Sequence, residues 1–460
     1  MSHLDLINPF SGESLGSYQL ESFESQKDKI SKLKLAQKTW SQQEFATRLS
    51  LVKDGLQYFE KNRKQIAMDL CEQMGRPLKF ADGEINGFFE RANYLCSIAE
   101  QTLASDVFND KAGFERSIEH VPLGIIFVIS AWNYPLLITV NSVIPALIAG
   151  NTVLLKHSGL TPKIGIHFEN AFKKLGDFDN LLFNSILTHE TTGKIIEELP
   201  IDHVIFTGSV KGGHEIMKHA GKTFLAPALE LGGKDGAYVH EDANIDYAAE
   251  TLVDGAMFNS GQSCCGIERV YVHEKIYEQF INKVKEAMSG YVLGDPKDEN
   301  TNLGPLASAR SADYMLDQIK DAKVKGANII LGGDKELIEK GTFFQPTLLT
   351  NVSHAMNVMK EENFGPILPI MKVSGVDEAI TLINDSDYGL TSCVFTHSKE
   401  IATQVAKQAD TGTVFMNRCD YLDPALPWTG VKNSGRGSAL SKYGFHNVTR
   451  RKSIHFKTNL

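Results

Sequence analysis

Basic clusters, disulfide spacing and uninterrupted apolar spans are all missing from this chain, and each absence removes a class of function. Lysine and arginine total 47 against 56 aspartate and glutamate, for a formal charge of −9. A net acidic chain without basic blocks is a poor match to nucleic acid. Only six cysteines are spread over 460 residues: Cys71, Cys96, Cys264, Cys265, Cys393 and Cys419. That is too sparse for a disulfide framework, and no C-x-x-C pair or Cys/His cluster offers a metal site. The N-terminal "MSHLDLINPFSGE" has neither the basic nor the apolar region of a secretory leader, so a reducing cytoplasm is the expected location. The nearest approach to a membrane span, Val121 to Leu155, is interrupted by Asn133, Pro135, Asn141, Pro145 and Asn151. A lipid-facing helix needs about 20 mostly apolar residues, so a buried strand, a turn and a buried helix are expected there instead.

What the chain does contain is a change of rhythm. Residues 22–104 repeat apolar positions at spacings of three and four, as in "GFFERANYLCSIAEQTL", which predicts helices. "SIEHVPLGIIFVIS" (Ser117 to Ser130) predicts strands, the last one buried. Beyond it, "ITVNSVIPALIAG", "KIGIHFENAFKKLG" and "KGGHEIMKHAG" read as helices, interleaved with the strands "NTVLLKHS" and "DHVIFTGS". Strands alternating with helices imply a largely parallel sheet. "LGGKD" (Leu231 to Asp235) breaks the rhythm. It restarts with the helix "NIDYAAETLVDGAMFN", the strand "ERVYVH", the helices "KIYEQFINKVKEAMSG" and "SADYMLDQIKDAKVKG", and the strand "ANIILGG". A second α/β domain is therefore expected. The terminal "VTRRKSIHFK" alternates and carries charge, the pattern of an edge strand that can pair with another chain.

Two stretches invite chemistry on their own residues. "FTGSVKGG" (Phe206 to Gly213) runs a strand through a glycine turn into a helix, which brings backbone amides and a helix N-terminus toward a phosphate. It is not G-x-G-x-x-G, because Ser209 follows Gly208, and a plain βα turn explains it equally. The rule for dinucleotide folds places an acidic residue at a ribose about 20 positions on; here that residue is Glu230. "NSGQSCCGIERV" (Asn259 to Val270) sets Cys264 and Cys265 after a Gly-Gln-Ser turn. Neighbours on extended backbone point opposite ways, so one of the two can face a cleft as a thiolate nucleophile. Both can equally be inert core thiols.

Four separated motifs, in order and at the family's spacing, resemble the aldehyde dehydrogenase superfamily over essentially the whole chain. They are "SAWNYP" (Ser130 to Pro135), "LELGGK" (Leu229 to Lys234), "GQSCCG" (Gly261 to Gly266) and "EENFGP" (Glu361 to Pro366). The resemblance implies an α/β fold of two Rossmann-like parallel-sheet domains, one for cofactor and one for catalysis, with a small β bridging and oligomerisation element. It divides the chain into an NAD(P)-binding domain (1–101 and 123–232), a catalytic domain (233–432) and a bridging element (102–122 and 433–460). It implies NAD- or NADP-dependent oxidation of a small-molecule aldehyde to an acid, by a homodimer or homotetramer. In G-Q-x-C the fourth residue is the nucleophile, which makes Cys264 the carrier of a thiohemiacetal and then a thioester. The Asn133 side chain and the Cys264 backbone N–H would hold the oxyanion, although a side chain capping the strand end before Pro135 is the plainer role for Asn133. Glu230 would activate the hydrolytic water. On the cofactor side the resemblance implies Lys156 at the adenosine ribose, Gly208, Ser209 and Gly213 around the phosphates, and Glu362 at the nicotinamide ribose. Phe364, Trp132 and Leu231 join them, with Trp132 equally readable as core. The substrate tunnel would be lined by Tyr134, Ile138, Asn141, Leu422 and Trp428.

Two positions depart from the family pattern. Gly159 stands where many NAD-preferring relatives carry a glutamate that accepts the adenosine 2′-hydroxyl, so tolerance of NADP is expected. Ala439 stands where several relatives carry a second glutamate that passes protons. Arg418, in "FMNRCDYLDP", is a candidate partner for a substrate carboxylate such as a semialdehyde's, or for Asp420. Acyl transfer to coenzyme A is the nearest alternative chemistry, and Glu230 argues against it, because a thiol acceptor needs no water-activating base. A catalytically silent fold member is at odds with Cys264, Glu230, Asn133 and Glu362 all being intact. A Cys-His hydrolase is disfavoured because no histidine stands beside the nucleophile in sequence.

Overall fold

The computed structural model describes residues 3–459. Residues 22–104 form four helices, Phe23–Trp40, Phe45–Lys61, Arg63–Met74 and Leu78–Leu103, as their spacing predicts. Their apolar faces bury Trp40, Phe59 and Phe88 together with Phe168 and Phe172 of the helix Pro162–Phe172. The rings of Phe59 and Phe88 lie 4.3 Å apart. Each such ring removed from water contributes roughly 1.5–3 kcal/mol, so the cluster fixes these helices against the first sheet.

That sheet orders its strands Gly435–Arg436, Ala228–Glu230, His203–Thr207, Ile125–Ile129, Thr152–Lys156 and Leu182–Asn184. All pair in parallel except Gly435–Arg436. Ile126 and Val128 face the aromatic cluster, while Ile125, Phe127 and Ile129 face a second core on the other side. Burial on both faces is why this strand reads as a continuous apolar run. The chain winds from Ile125–Ile129 outward to Leu182–Asn184, then returns to the opposite side with His203–Thr207. Strand order thus reverses between Ile125–Ile129 and His203–Thr207. The crevice at the carboxyl ends of two such strands is where doubly wound sheets bind ligands.

The second sheet orders Asn328–Leu331, Thr347–Thr350, Ile367–Val373, Ile267–His273, Asp235–Val239, Thr391–Phe395 and Thr413–Met416. Only Asn328–Leu331, at one edge, is antiparallel. Sequence periodicity identifies two of these strands, Ile267–His273 and Asn328–Leu331. Ile367–Val373 escapes it because Pro369 sits inside, a residue that argues against a central strand. The helix expected from Lys163 to Gly176 stops at Phe172, where the ribbon Lys174–Leu175 and Phe178–Asp179 takes over.

A third sheet joins Asp106–Phe108, Phe114–Pro122 and Thr449–Lys457, the last of these on its edge as predicted. The apolar stretch after Val121 resolves into the strand Ile125–Ile129, the helix Pro135–Ile148 and the strand Thr152–Lys156. Among the described residues no helix is long and apolar enough to cross a membrane.

Candidate active site

A cleft of about 590 Å³ opens at the carboxyl ends of Ile125–Ile129 and His203–Thr207. Trp132 and Asn133 line it after the first strand, and Gly208 and Ser209 after the second. Leu231, Glu362 and Phe364 also line it. The Ser209 hydroxyl oxygen accepts from the Gly212 N–H at 3.1 Å and caps the helix Val210–Ala220. That helix therefore starts at the cleft, where its free N–H groups and dipole favour a phosphate. Trp132 and Phe364 meet edge to face, ring centroids 5.7 Å apart. Glu362 accepts the Gly233 N–H at 3.0 Å, and burial, with the nearby charge of Glu268, pushes its carboxyl up to about 8.

Close backbone approaches bring the motifs together. Asn259, Ser260 and Gly261 hold φ of 54°, 57° and 70°, left-handed values that cost a non-glycine residue roughly 1–3 kcal/mol. Hydrogen bonds sustain this loop. Asn259 Nδ2 donates to the carbonyls of Asn133 (3.2 Å) and Gln262 (3.1 Å), and Gln262 Nε2 donates to the Asn259 carbonyl (3.1 Å). A Cβ at Gly261 would lie 2.2 Å from the Gly365 carbonyl carbon, and one at Gly233 would lie 2.2 Å from the Cys264 carbonyl oxygen. The glycines of "GQSCCG" and "LELGGK" thus let three loops converge on one turn. Buried Arg76 pairs with Glu84 and donates to Asn259 Oδ1 (3.0 Å) and to the Asn133 carbonyl. Asn133 is held by its carbonyl, and its side chain does not cap the strand end. Among the described residues, neither its amide nor the Cys264 backbone N–H has a hydrogen-bond partner.

Cys264 and Cys265 lie in a turn rather than on extended backbone, so alternation does not separate them: both border the smaller of two cavities, and Cys264 alone of the pair also lines the cleft. Cys264 is half-buried and lines the cleft. Cys265 is 3% exposed, and its thiol donates to Asp420 Oδ1 at 2.9 Å. A hydrogen bond with Cys264 and burial push the Cys265 thiol well above the ordinary range, which leaves it a poor nucleophile.

On its other side Cys264 lines a second cavity, of about 520 Å³. Tyr134, Ile138, Asn141, Leu422 and Trp428 all line it, as does Glu230. The helix Leu78–Leu103 turns Gly83, Asn86, Gly87, Glu90 and Arg91 toward it, one face at helical spacing. Glu230 ends the strand Ala228–Glu230, and its Oε2 accepts the Thr207 hydroxyl at 3.4 Å. Burial pushes the Glu230 carboxyl up to about 7, against the opposing charge of Arg91 and the Thr207 hydrogen bond. Ala439 shares a narrow crevice with Glu230, so this neighbour contributes no second carboxyl.

Besides Ala439, four singled-out residues lie outside both cavity walls. Lys156 ends the strand Thr152–Lys156; it is buried without an ion pair among the described residues, and burial lowers its ammonium to about 8. Gly159 borders a small recess against Leu4 of the strand His3–Ile7. Gly213 lets its helix pack on Leu231, whose side chain a Cβ there would meet at 2.8 Å. Arg418 is exposed and stacks on Tyr421, 3.6 Å from the ring centroid, with no hydrogen bond or ion pair to Asp420. No sequence pattern marks Thr207, Arg91 or the buried Lys234–Glu268 pair, and Asp420 stands out only as a partner for Arg418. Lys234 Nζ donates to Glu268 at 2.7 Å, and Glu268 also accepts the N–H groups of Asn363 and Phe364, so this pair anchors the Glu362 loop. Lys234 was visible inside its motif, whereas Arg91 looks like any charge on a helix face.

Comparison with known proteins agrees with this geometry. The model of the aldehyde dehydrogenase family matches residues 1–454. An aldehyde dehydrogenase of Paenarthrobacter nicotinovorans is 33% identical, over 97% of this chain and 98% of its own. A succinate-semialdehyde dehydrogenase [NADP(+)] of Deinococcus radiodurans is also 33% identical, over 97% of this chain and 94% of its own. The crystal structure of lactaldehyde dehydrogenase from Escherichia coli superposes with a TM-score of 0.95 at 29% identity, covering 99% of this chain and 95% of that one. With its sequence, its two parallel sheets and its cysteine turn all in agreement, this chain belongs to the aldehyde dehydrogenase family.

Proposed function

We propose that this protein oxidises an aldehyde to a carboxylic acid with NAD or NADP, using Cys264 as nucleophile, Asn133 as oxyanion donor and Glu230 as base. The observation that carries this reading is the position of Cys264 in the walls of both cavities, one taken for the aldehyde and one for the dinucleotide. The Cys264 thiolate bonds to the carbonyl carbon, and the π pair moves onto oxygen. The unengaged Asn133 amide and Cys264 N–H stabilise that alkoxide. Nicotinamide, when bound in the larger cleft, supplies the acceptor for the hydride that leaves this carbon. A thioester remains on Cys264. Glu230 takes a proton from the water that attacks it, the C–S bond breaks, and the acid leaves. Transfer to coenzyme A would need no such base. A panel of aldehydes assayed by NAD(P)H absorbance tests the reading, and silence with all of them would contradict it.

The dinucleotide fits the chain's own groups. The helix start at Ser209 suits the phosphates, and Glu362 suits a ribose diol. Lys156 is a buried cation without a counter-ion among the described residues. Gly159 leaves no carboxylate to repel a 2′-phosphate. The kcat/KM for NADP is expected within about tenfold of that for NAD, and an NAD preference above about 100-fold would contradict this.

Among the described residues one edge of the strand Thr449–Lys457 is unpaired, so a second copy can extend its sheet and yield a homodimer or homotetramer. A single-chain mass by light scattering would contradict that pairing. We place the NAD(P) domain at 1–101 and 123–232, the catalytic domain at 233–432, and the bridging element at 102–122 and 433–460, which follows the three sheets save that Gly435–Arg436 extends the first.

A further inference from the structure

The wall of the smaller cavity holds a permanent cation that, among the described residues, forms no ion pair with a carboxylate. Arg91, on the helix Leu78–Leu103, is 7% exposed. Its Nη1 donates to the Leu137 carbonyl at 3.1 Å and to Asn141 Oδ1 at 3.4 Å. Among the described residues, Nε and Nη2 have no hydrogen-bond partner, and the guanidinium forms no ion pair. Other buried guanidiniums are satisfied: Arg76 pairs with Glu84, and Arg269 donates to the carbonyls of Lys234, Leu382 and Ile383. The acids around the same cavity are engaged elsewhere. Glu90 accepts the Tyr421 hydroxyl at 2.6 Å, Asp420 accepts the Cys265 thiol, and Glu230 accepts Thr207. Taking a charge out of water costs several kcal/mol unless a counter-charge meets it. A guanidinium fork presents two parallel donors that match a carboxylate. Arg418, the arginine that sequence alone offers for a substrate carboxylate, is exposed and outside the cavity wall.

We propose that Arg91 receives a carboxylate carried by the aldehyde substrate, so that the preferred substrate is a short semialdehyde with its acid group at the end opposite the carbonyl. Asn141 and the Leu137 carbonyl orient the fork, and Cys264, in the same cavity, takes the aldehyde end. This assignment rests on the reading of Cys264 as nucleophile.

The test compares kcat/KM for 4-oxobutanoate and for butanal, which differ chiefly in the carboxylate. The wild-type protein should favour 4-oxobutanoate by about 30-fold or more, since losing one partner of a buried, hydrogen-bonded charge pair costs at least that. Arg91→Gln should collapse the ratio, mostly through KM, and Arg91→Lys should restore part of it. Succinate should compete with butanal in the wild type and much less in Arg91→Gln, a binding readout that needs no carboxylated aldehyde to turn over. A wild type that oxidises both aldehydes equally well overturns the role of Arg91 alone, whether or not the variant folds. A variant in which both substrates fall together, with the butanal pH profile shifted upward, overturns it in favour of an arginine that only tunes Glu230. A wild type that oxidises neither aldehyde, nor any other, overturns the underlying reading as well.

Discussion

Cys264→Ser is expected to lower kcat for aldehyde oxidation by about 10⁴-fold or more, as loss of a covalent nucleophile does elsewhere. Serine keeps the shape and a hydroxyl, but an alcohol at neutral pH is a far weaker nucleophile than a thiol unless a base activates it. Cys265→Ser makes the sharp contrast, because it alters a thiol held in a hydrogen bond to Asp420. Its kcat should stay within about tenfold of wild type, since one such bond contributes only about 1 kcal/mol. Asn133→Ala falls between the two. It keeps the sulfur and removes one oxyanion donor, for a loss of about 100- to 1000-fold in kcat. Equal activity in Cys264→Ser and wild type by stopped-flow NAD(P)H absorbance would refute the nucleophile, and a Cys265→Ser loss as deep as that of Cys264→Ser would shift it by one residue.

Glu230→Gln carries the second large effect and a distinct signature. Steady-state kcat should fall by about 10²- to 10⁴-fold, the range for losing a positioned general base. The first turnover should survive, because the thioester forms before Glu230 acts. The expected trace is a burst of NAD(P)H near one equivalent per active site, followed by very slow release. The pH profile separates this from a general loss of structure. Burial raises the Glu230 carboxyl to about 7, and only the ionised form accepts a proton. Wild-type kcat should therefore climb as pH rises through about 7 and fade below it. In the glutamine variant that limb should vanish. Persistence of the limb in Glu230→Gln would assign it to another group.

Part of this could be read from the sequence, and the division has a physical basis. Three of the six strands of the first sheet were legible because they are apolar runs separated by helices of regular period, whereas Leu182–Asn184, Ala228–Glu230 and Gly435–Arg436 are too short to show a pattern. Ile125–Ile129, Thr152–Lys156 and His203–Thr207 all fall where apolar runs place them. Much of the second sheet was not, because loops and ribbons come between its strands and one strand holds Pro369. Short motifs marked the residues that now gather around Cys264, since a glycine that must admit a backbone leaves a fixed trace at Gly233 and Gly261. Residues that act through burial left no such trace. Arg91 differs from the surface charges of its helix only in where the fold puts it. The Lys234–Glu268 pair joins residues 34 apart, and no local pattern links them. The local rule that points Glu230 at a ribose takes no account of where the fold turns that side chain. The strand Ala228–Glu230 extends the same sheet beside His203–Thr207, and its last side chain faces the smaller cavity. Glu362, reached much later in the chain, lines the larger cleft.

The most direct measurement is the location of the acyl group in a trapped intermediate. Glu230→Gln, mixed with aldehyde and NAD(P) and quenched in acid, should carry one added acyl mass, and fragmentation of the Gly261–Arg269 segment should place it on Cys264. Acyl mass on Cys265, or an NAD(P)H burst with no covalent adduct anywhere in the chain, would contradict the transient bond between Cys264 and the substrate carbon.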